Sequence, residues 1–137
     1  MNNIFDRIGA INPATAKQDV KEAVLTTLIS TIKNSSFRFR NEKEFQTGIE
    51  QILNYHKIPY KREYYLGSDP IDFYLPCYKI GMECKIKGAE TEVLSQLWRY
   101  SERSDIDELL LVATQNYNMP QTLFENKKLT IVWKVPL

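Results

Sequence analysis

Pro70-Ile71-Asp72-Phe73-Tyr74-Leu75-Pro76-Cys77-Tyr78-Lys79-Ile80-Gly81-Met82-Glu83-Cys84-Lys85 is the stretch that decides the fold. Two short apolar segments meet at Pro76-Cys77, a turn signal, and read as consecutive paired strands. In the first, alternation puts Asp72 and Tyr74 on one face and Ile71, Phe73 and Leu75 on the other. In the second, spanning 78–86, Glu83, Lys85 and Lys87 lie on one side, with Met82, Cys84 and Ile86 opposite. Charges on strands that sit between apolar layers are costly unless paired or liganded. Two carboxylates on neighbouring strands can hold a divalent cation, and a lysine beside them can meet the charge of a phosphate. These residues imply a metal-dependent phosphodiesterase, most simply a nuclease.

Upstream, 60–66 reads as a further strand, joined to the Asp72 strand by the turn Gly67-Ser68-Asp69-Pro70. Before it, Asn41 caps a helix with Glu44 three residues later, in a capping-box arrangement, and Pro59 ends it. Phe45, Ile49, Ile52, Leu53 and His56 form its apolar face. An earlier helix starts at Asn12-Pro13 and carries the stripe Val20, Val24, Leu25, Leu28 and Ile32. Downstream, Gly88-Ala89 leads to a helix over 90–103 with Val93, Leu94, Leu97, Trp98 and Tyr100 on its apolar side. The apolar run 109–113 predicts a strand buried on both faces. A short helical turn near 120–125 precedes a last strand over 129–135. The element order is α-α-β-β-β-α-β-(α)-β. A meander followed by strand-helix-strand crossovers predicts a mixed α/β sheet with helices on its faces.

The chain has 137 residues, 43% of them hydrophobic, which suits one domain with a real core. Eighteen basic against seventeen acidic residues leave a net charge of +1, so any attraction for nucleic acid has to be local. His56 is the only histidine. That excludes a zinc-type cluster and Ser/His/Asp catalysis. Cys77 and Cys84 do not form a disulfide framework. None of the five glycines fits a phosphate-cradling P-loop. With no signal-peptide-like start and no stretch long enough to span a bilayer, the expected location is cytoplasmic.

At this point the residues resemble the PD-(D/E)xK nuclease superfamily, whose core is a restriction-endonuclease-like αβββαβ arrangement. The resemblance covers roughly residues 41 to 114. Asp72 falls on the family's first acid, Glu83 and Lys85 on its acid-x-lysine pair. Gln96 and Tyr100 are similar to the Gln-x-x-x-Tyr motif of lambda-exonuclease and RecB-type members. Glu44 looks like the extra helical acid of many members; Glu50 competes for that place, and Glu44 is preferred because it borders the apolar stripe nearer the helix start. Ile71 separates Pro70 from Asp72, so the literal Pro-Asp pair is missing. The implied organisation is a single domain over 1–137, with a helical extension over 1–40, the core over 41–137 and an added C-terminal strand.

The resemblance implies Mg²⁺ or Mn²⁺ held by Asp72, Glu83, Glu44 and the Cys84 backbone carbonyl. The ion would polarise the scissile phosphate and lower the pKa of a bound water. Lys85 would orient that water or stabilise developing charge. Gln96, Tyr100 and Arg103 recur at helical spacing and, with Arg99, form the expected substrate-facing set. The expected substrate is a nucleic acid, DNA before RNA, with restriction-, repair- or recombination-type endonuclease cleavage. One centre per small chain makes a homodimer the natural route to cutting both strands. Plainer alternatives stand beside each assignment. Asp72 could be a water-facing acid, Glu83–Lys85 an exposed ion pair worth little, and Arg99 and Arg103 solvated surface charges. The whole domain could also bind nucleic acid or protein without cutting.

Overall fold

The computed structural model describes residues 13–67 and 69–135. The elements are α1 (Pro13–Asn34), α2 (Glu42–Tyr55), β1 (Lys61–Leu66), β2 (Asp69–Leu75), β3 (Ile80–Lys85), α3 (Glu90–Ser101), β4 (Glu108–Ala113) and β5 (Lys128–Trp133), with a 3₁₀ turn at Phe124–Asn126. They form a mixed α/β structure with one five-stranded sheet in the order β1-β2-β3-β4-β5. β1, β2 and β3 are an antiparallel meander, while β3-β4 and β4-β5 pair in parallel. Tight turns allow the first three strands to reverse direction; α3 and the 114–127 connection supply the longer crossovers that parallel neighbours need.

The sheet lies between two apolar layers. α1 and α2 cover one face through Leu25, Leu28, Ile32, Phe45, Ile49 and Leu53, which pack on Phe73, Leu75, Met82, Cys84, Leu110 and Val112. α3 covers the other through Val93, Leu97 and Tyr100, against Ile71, Tyr74, Leu109 and Leu111. β4 (ELLLVA) is buried along its whole length, as a continuous apolar run between two layers requires. Asn41 caps α2 by accepting the Glu44 N–H at 2.9 Å. The capping box is incomplete, because the Glu44 carboxylate turns to the Arg40 N–H at 3.0 Å.

Several expectations change in detail. The α1 stripe is Leu25, Leu28, Ile29 and Ile32, whereas Val20 is 53% exposed. The expected Asn12 cap lies outside the described residues. α3 stops at Ser101, with Glu102 as its C-cap, so Arg103 is not on the helix. Trp98 is 44% exposed, edge-on to Phe124, rather than core. Both cysteines are free, Cys77 exposed and Cys84 buried. His56 caps the end of α2 and meets Thr31 Oγ1 at 3.3 Å. No described helix is long and apolar enough to cross a membrane.

The strict alternation expected along β2 also fails. Phe73 and Leu75 face α1 and α2, but Ile71 joins Tyr74 on the α3 side. The face therefore switches at Asp72, which is left between the two apolar layers.

Gly81 is where the central strand is packed closest. A Cβ there would lie 2.5 Å from Ile71 Cδ1, 2.8 Å from Leu109 Cδ2 and 2.9 Å from Ile106 Cδ1, all in buried side chains. Gly81→Ala is expected to destabilise the fold by about 1–3 kcal/mol through overpacking. Urea denaturation of the variant against the parent measures it.

Candidate metal and catalytic site

The site forms where the sheet ladder opens. The β2–β3 register runs from Leu75↔Ile80 to Phe73↔Met82 and stops there. The next opposed positions are Asp72 and Glu83, and side chains take over from backbone. Glu83 Oε1 accepts the Asp72 N–H at 3.1 Å, and Asp72 Oδ2 accepts the Cys84 N–H at 2.7 Å. Each acid thus caps the other strand's exposed amide, satisfying donors that the ladder leaves behind.

Glu83 is 1% exposed and points to the α3 side. There Tyr100 Oη lies 3.3 Å from Glu83 Oε2 and 2.9 Å from the Pro70 carbonyl, and accepts the Gln96 Nε2 donor at 3.0 Å. One phenolic proton can serve only one of the two acceptors at a time, and the shorter contact is to Pro70. A protonated Glu83 resolves this by donating to Tyr100. Lys85 Nζ, 4.0 Å from Glu83 Oε2, is the adjacent positive charge.

The electrostatics agree with that arrangement. Burial, then the Asp72 charge and contact with its carboxyl group, push Glu83 up to about 9, against the opposing pull of Lys85 and of the Asp72 backbone N–H. Burial and the Glu83 charge hold Tyr100 firmly in its neutral form. Burial also raises Cys84, reinforced by Asp72 and Glu83, so this thiol is inert.

Asp72, Glu83, Lys85, Gln96 and Tyr100 are therefore brought together, but not all in the expected roles. Tyr100 is 1% exposed and cannot touch a substrate; it braces Glu83 and the Pro70 backbone from below. Glu44 does not join them. It is paired with Arg40 at 3.1 Å, and that pair holds its carboxyl below the usual range. Glu50 is engaged by Arg62 at 3.2 Å and by Tyr60 Oη at 2.9 Å.

The helical acid whose charge is coupled to the site is Glu42. Its half-buried carboxyl is raised by burial, pulled down by Lys85 and raised again by Asp72. The missed signal is helical spacing. Glu42 stands three residues before Phe45 and seven before Ile49, in line with the buried stripe, whereas Glu44 is one residue off it.

Arg99 is bound by Asp69, with Nη2–Oδ2 at 2.9 Å and Nε–Oδ2 at 3.0 Å, and reaches Ser95 Oγ at 3.3 Å. A phosphate would have to displace that carboxylate. Arg103, exposed beyond the helix end, makes no described side-chain hydrogen bond or ion pair with the carboxylates.

Among the described residues no three or more His, Cys, Asp or Glu side chains stand gathered as a finished cation cage. The donor set still suits a hard cation. It offers two carboxylates in one gap, with a third, Glu42, near enough to feel the charge of Asp72. The Cys84 backbone faces the same gap through its N–H. No protein family, curated protein or solved structure matches this chain.

Glu83 sets a pH dependence of stability. Its proton is held more tightly in the folded state than in the unfolded chain, where the value is 4.5. Its stabilising contribution is complete below the unfolded value and is lost as pH rises through the folded one. Without added metal, the melting temperature is expected to fall between about pH 4.5 and about pH 9. Glu83→Gln, neutral throughout, should flatten this slope in thermal melts.

Proposed function

We propose that this chain is a divalent-cation-dependent nuclease of the PD-(D/E)xK type, hydrolysing phosphodiester bonds in DNA. The observation that carries the reading is the reciprocal Asp72–Glu83 latch across the β2–β3 opening, with Lys85 two residues along from Glu83. The element order helix, three-strand meander, helix, strand supports the restriction-endonuclease-like core. A Mg²⁺ or Mn²⁺ ion held by Asp72 and Glu83 supplies Lewis acidity toward a phosphate oxygen and toward water.

The protein's own groups do the rest. Asp72 and Glu83 present fixed oxygen donors whose positions are set by backbone hydrogen bonds rather than by flexible side chains. Tyr100 and Gln96 hold Glu83 from the helix side. Lys85 keeps a compact positive charge at the rim, where it can orient a water or oppose charge gathering on the phosphate. Glu42 adds negative charge behind the pair and draws a cation to the gap. In this reading one centre cuts one strand, and a homodimer delivers a double-strand cut.

A second reading is a nuclease-fold module that binds without cutting; the unfinished cation cage favours it. Cleavage of single-stranded, duplex and branched DNA with Mg²⁺ or Mn²⁺ separates the two. Asp72→Ala and Lys85→Ala are expected to lose about a hundredfold or more in rate. Glu42→Gln should slow cleavage, whereas Glu44→Gln should behave as the parent. Full activity in both alanine variants contradicts the site assignment, and no cleavage by the parent favours the binder.

A further inference from the structure

We infer that Glu63 is a positioning residue whose left-handed backbone turns the Asp72 carboxylate into the β2–β3 opening. The metal-binding consequence rests on the function proposed above; the structural claim does not.

Among the described residues, Glu63 is the one non-glycine with positive φ (48°) inside a strand; the others lie in turns or in the 3₁₀ segment. Left-handed backbone is disfavoured for any residue bearing a Cβ, and a strand interior is the last place to expect it. The β1–β2 register pairs Lys61 with Tyr74, Arg62 with Phe73 and Tyr64 with Ile71. Glu63 and Asp72 therefore stand opposite each other, yet that pair alone is missing from the ladder.

The faces explain what the gap does. Lys61 Nζ sits 5.2 Å from the centre of the Tyr64 ring, and Tyr64 stacks on Tyr74 at 4.7 Å, all on the α3 side with Ile71. Arg62 lies over Phe73 on the other side, its guanidinium carbon 4.8 Å from the ring centre. In regular strands, residues three apart point to opposite faces. Here residues 61 and 64 share a face, as do 71 and 74. Both strands switch faces at the same step, so the register survives and Asp72 alone is left directed between the layers. From there its Oδ2 reaches the Cys84 N–H at 2.7 Å.

The Glu63 side chain is exposed and takes part in no hydrogen bond or ion pair among the described residues. Its backbone is therefore the operative feature, and substitutions can separate the two. Glycine and asparagine accept left-handed backbone, whereas a β-branched residue resists it and favours a straight strand.

Amide hydrogen exchange at Cys84, followed by NMR, reads the Asp72 contact without any metal, and Mn²⁺ titration calorimetry reads the site. E63G and E63N are expected to keep Cys84 protection and Mn²⁺ affinity, and E63G to unfold at or above the parent's temperature. E63V should lose Cys84 protection and weaken Mn²⁺ binding, while Met82 and Leu110 amides stay protected. Cys84 protection retained in folded E63V overturns the inference. Should E63V fail to fold, E63G decides: a lowered unfolding temperature overturns the inference, and an unchanged or raised one with Cys84 still protected supports it. If the parent binds no Mn²⁺, the proposed function fails, while Cys84 protection still decides the role of Glu63.

Discussion

Two acids that face one another in a nearly dry gap are the constraint around which the rest of this structure is arranged. Like charges so placed repel strongly, and burial removes the water that would screen them. The protein answers with backbone N–H groups from Asp72 and Cys84, a proton on Glu83, and the ammonium of Lys85 nearby. Even so compensated, the two convergent carboxylates form a donor set of the kind a hard cation uses. In the proposed function a divalent cation takes the place of that proton.

The layers pack against the strands that carry the two acids. β3 is buried on both faces and tied in parallel to β4, itself fully buried, so Glu83 and Lys85 sit on the most rigid part of the sheet. α3 presses on one side and delivers Tyr100 and Gln96; α2 covers the other and brings Glu42 to its first turn. The antiparallel strand β2, together with β1 beside it, changes face at the site. A rigid donor strand beside a kinked one converts two ordinary strand acids into a convergent pair.

Much of this was legible in the residues. Turn signals at Gly67 and Pro76 delimited the meander, and the uniform apolar run 109–113 announced a doubly buried strand. The acid-x-lysine spacing on a strand beside a second acid located the pair. What escaped had local causes. Strand alternation assumes regular backbone, so it could not foresee the switch of Ile71 to the α3 face, which occurs opposite the left-handed Glu63. Choosing Glu44 rested on its bordering the apolar stripe near the helix start, but its carboxylate turns outward to Arg40; counting back from Phe45 and Ile49 singles out Glu42. Tyr100 and Arg103 looked equivalent at helical spacing, but the helix ends between them, burying one and releasing the other.

Diffraction from crystals of the protein soaked in Mn²⁺, recorded where manganese scatters anomalously, tests the central claim most directly. The account predicts one strong anomalous peak between the Asp72 and Glu83 carboxylates, within coordination distance of both. A well-occupied crystal with no peak in the β2–β3 opening, or with manganese bound only elsewhere, would contradict it.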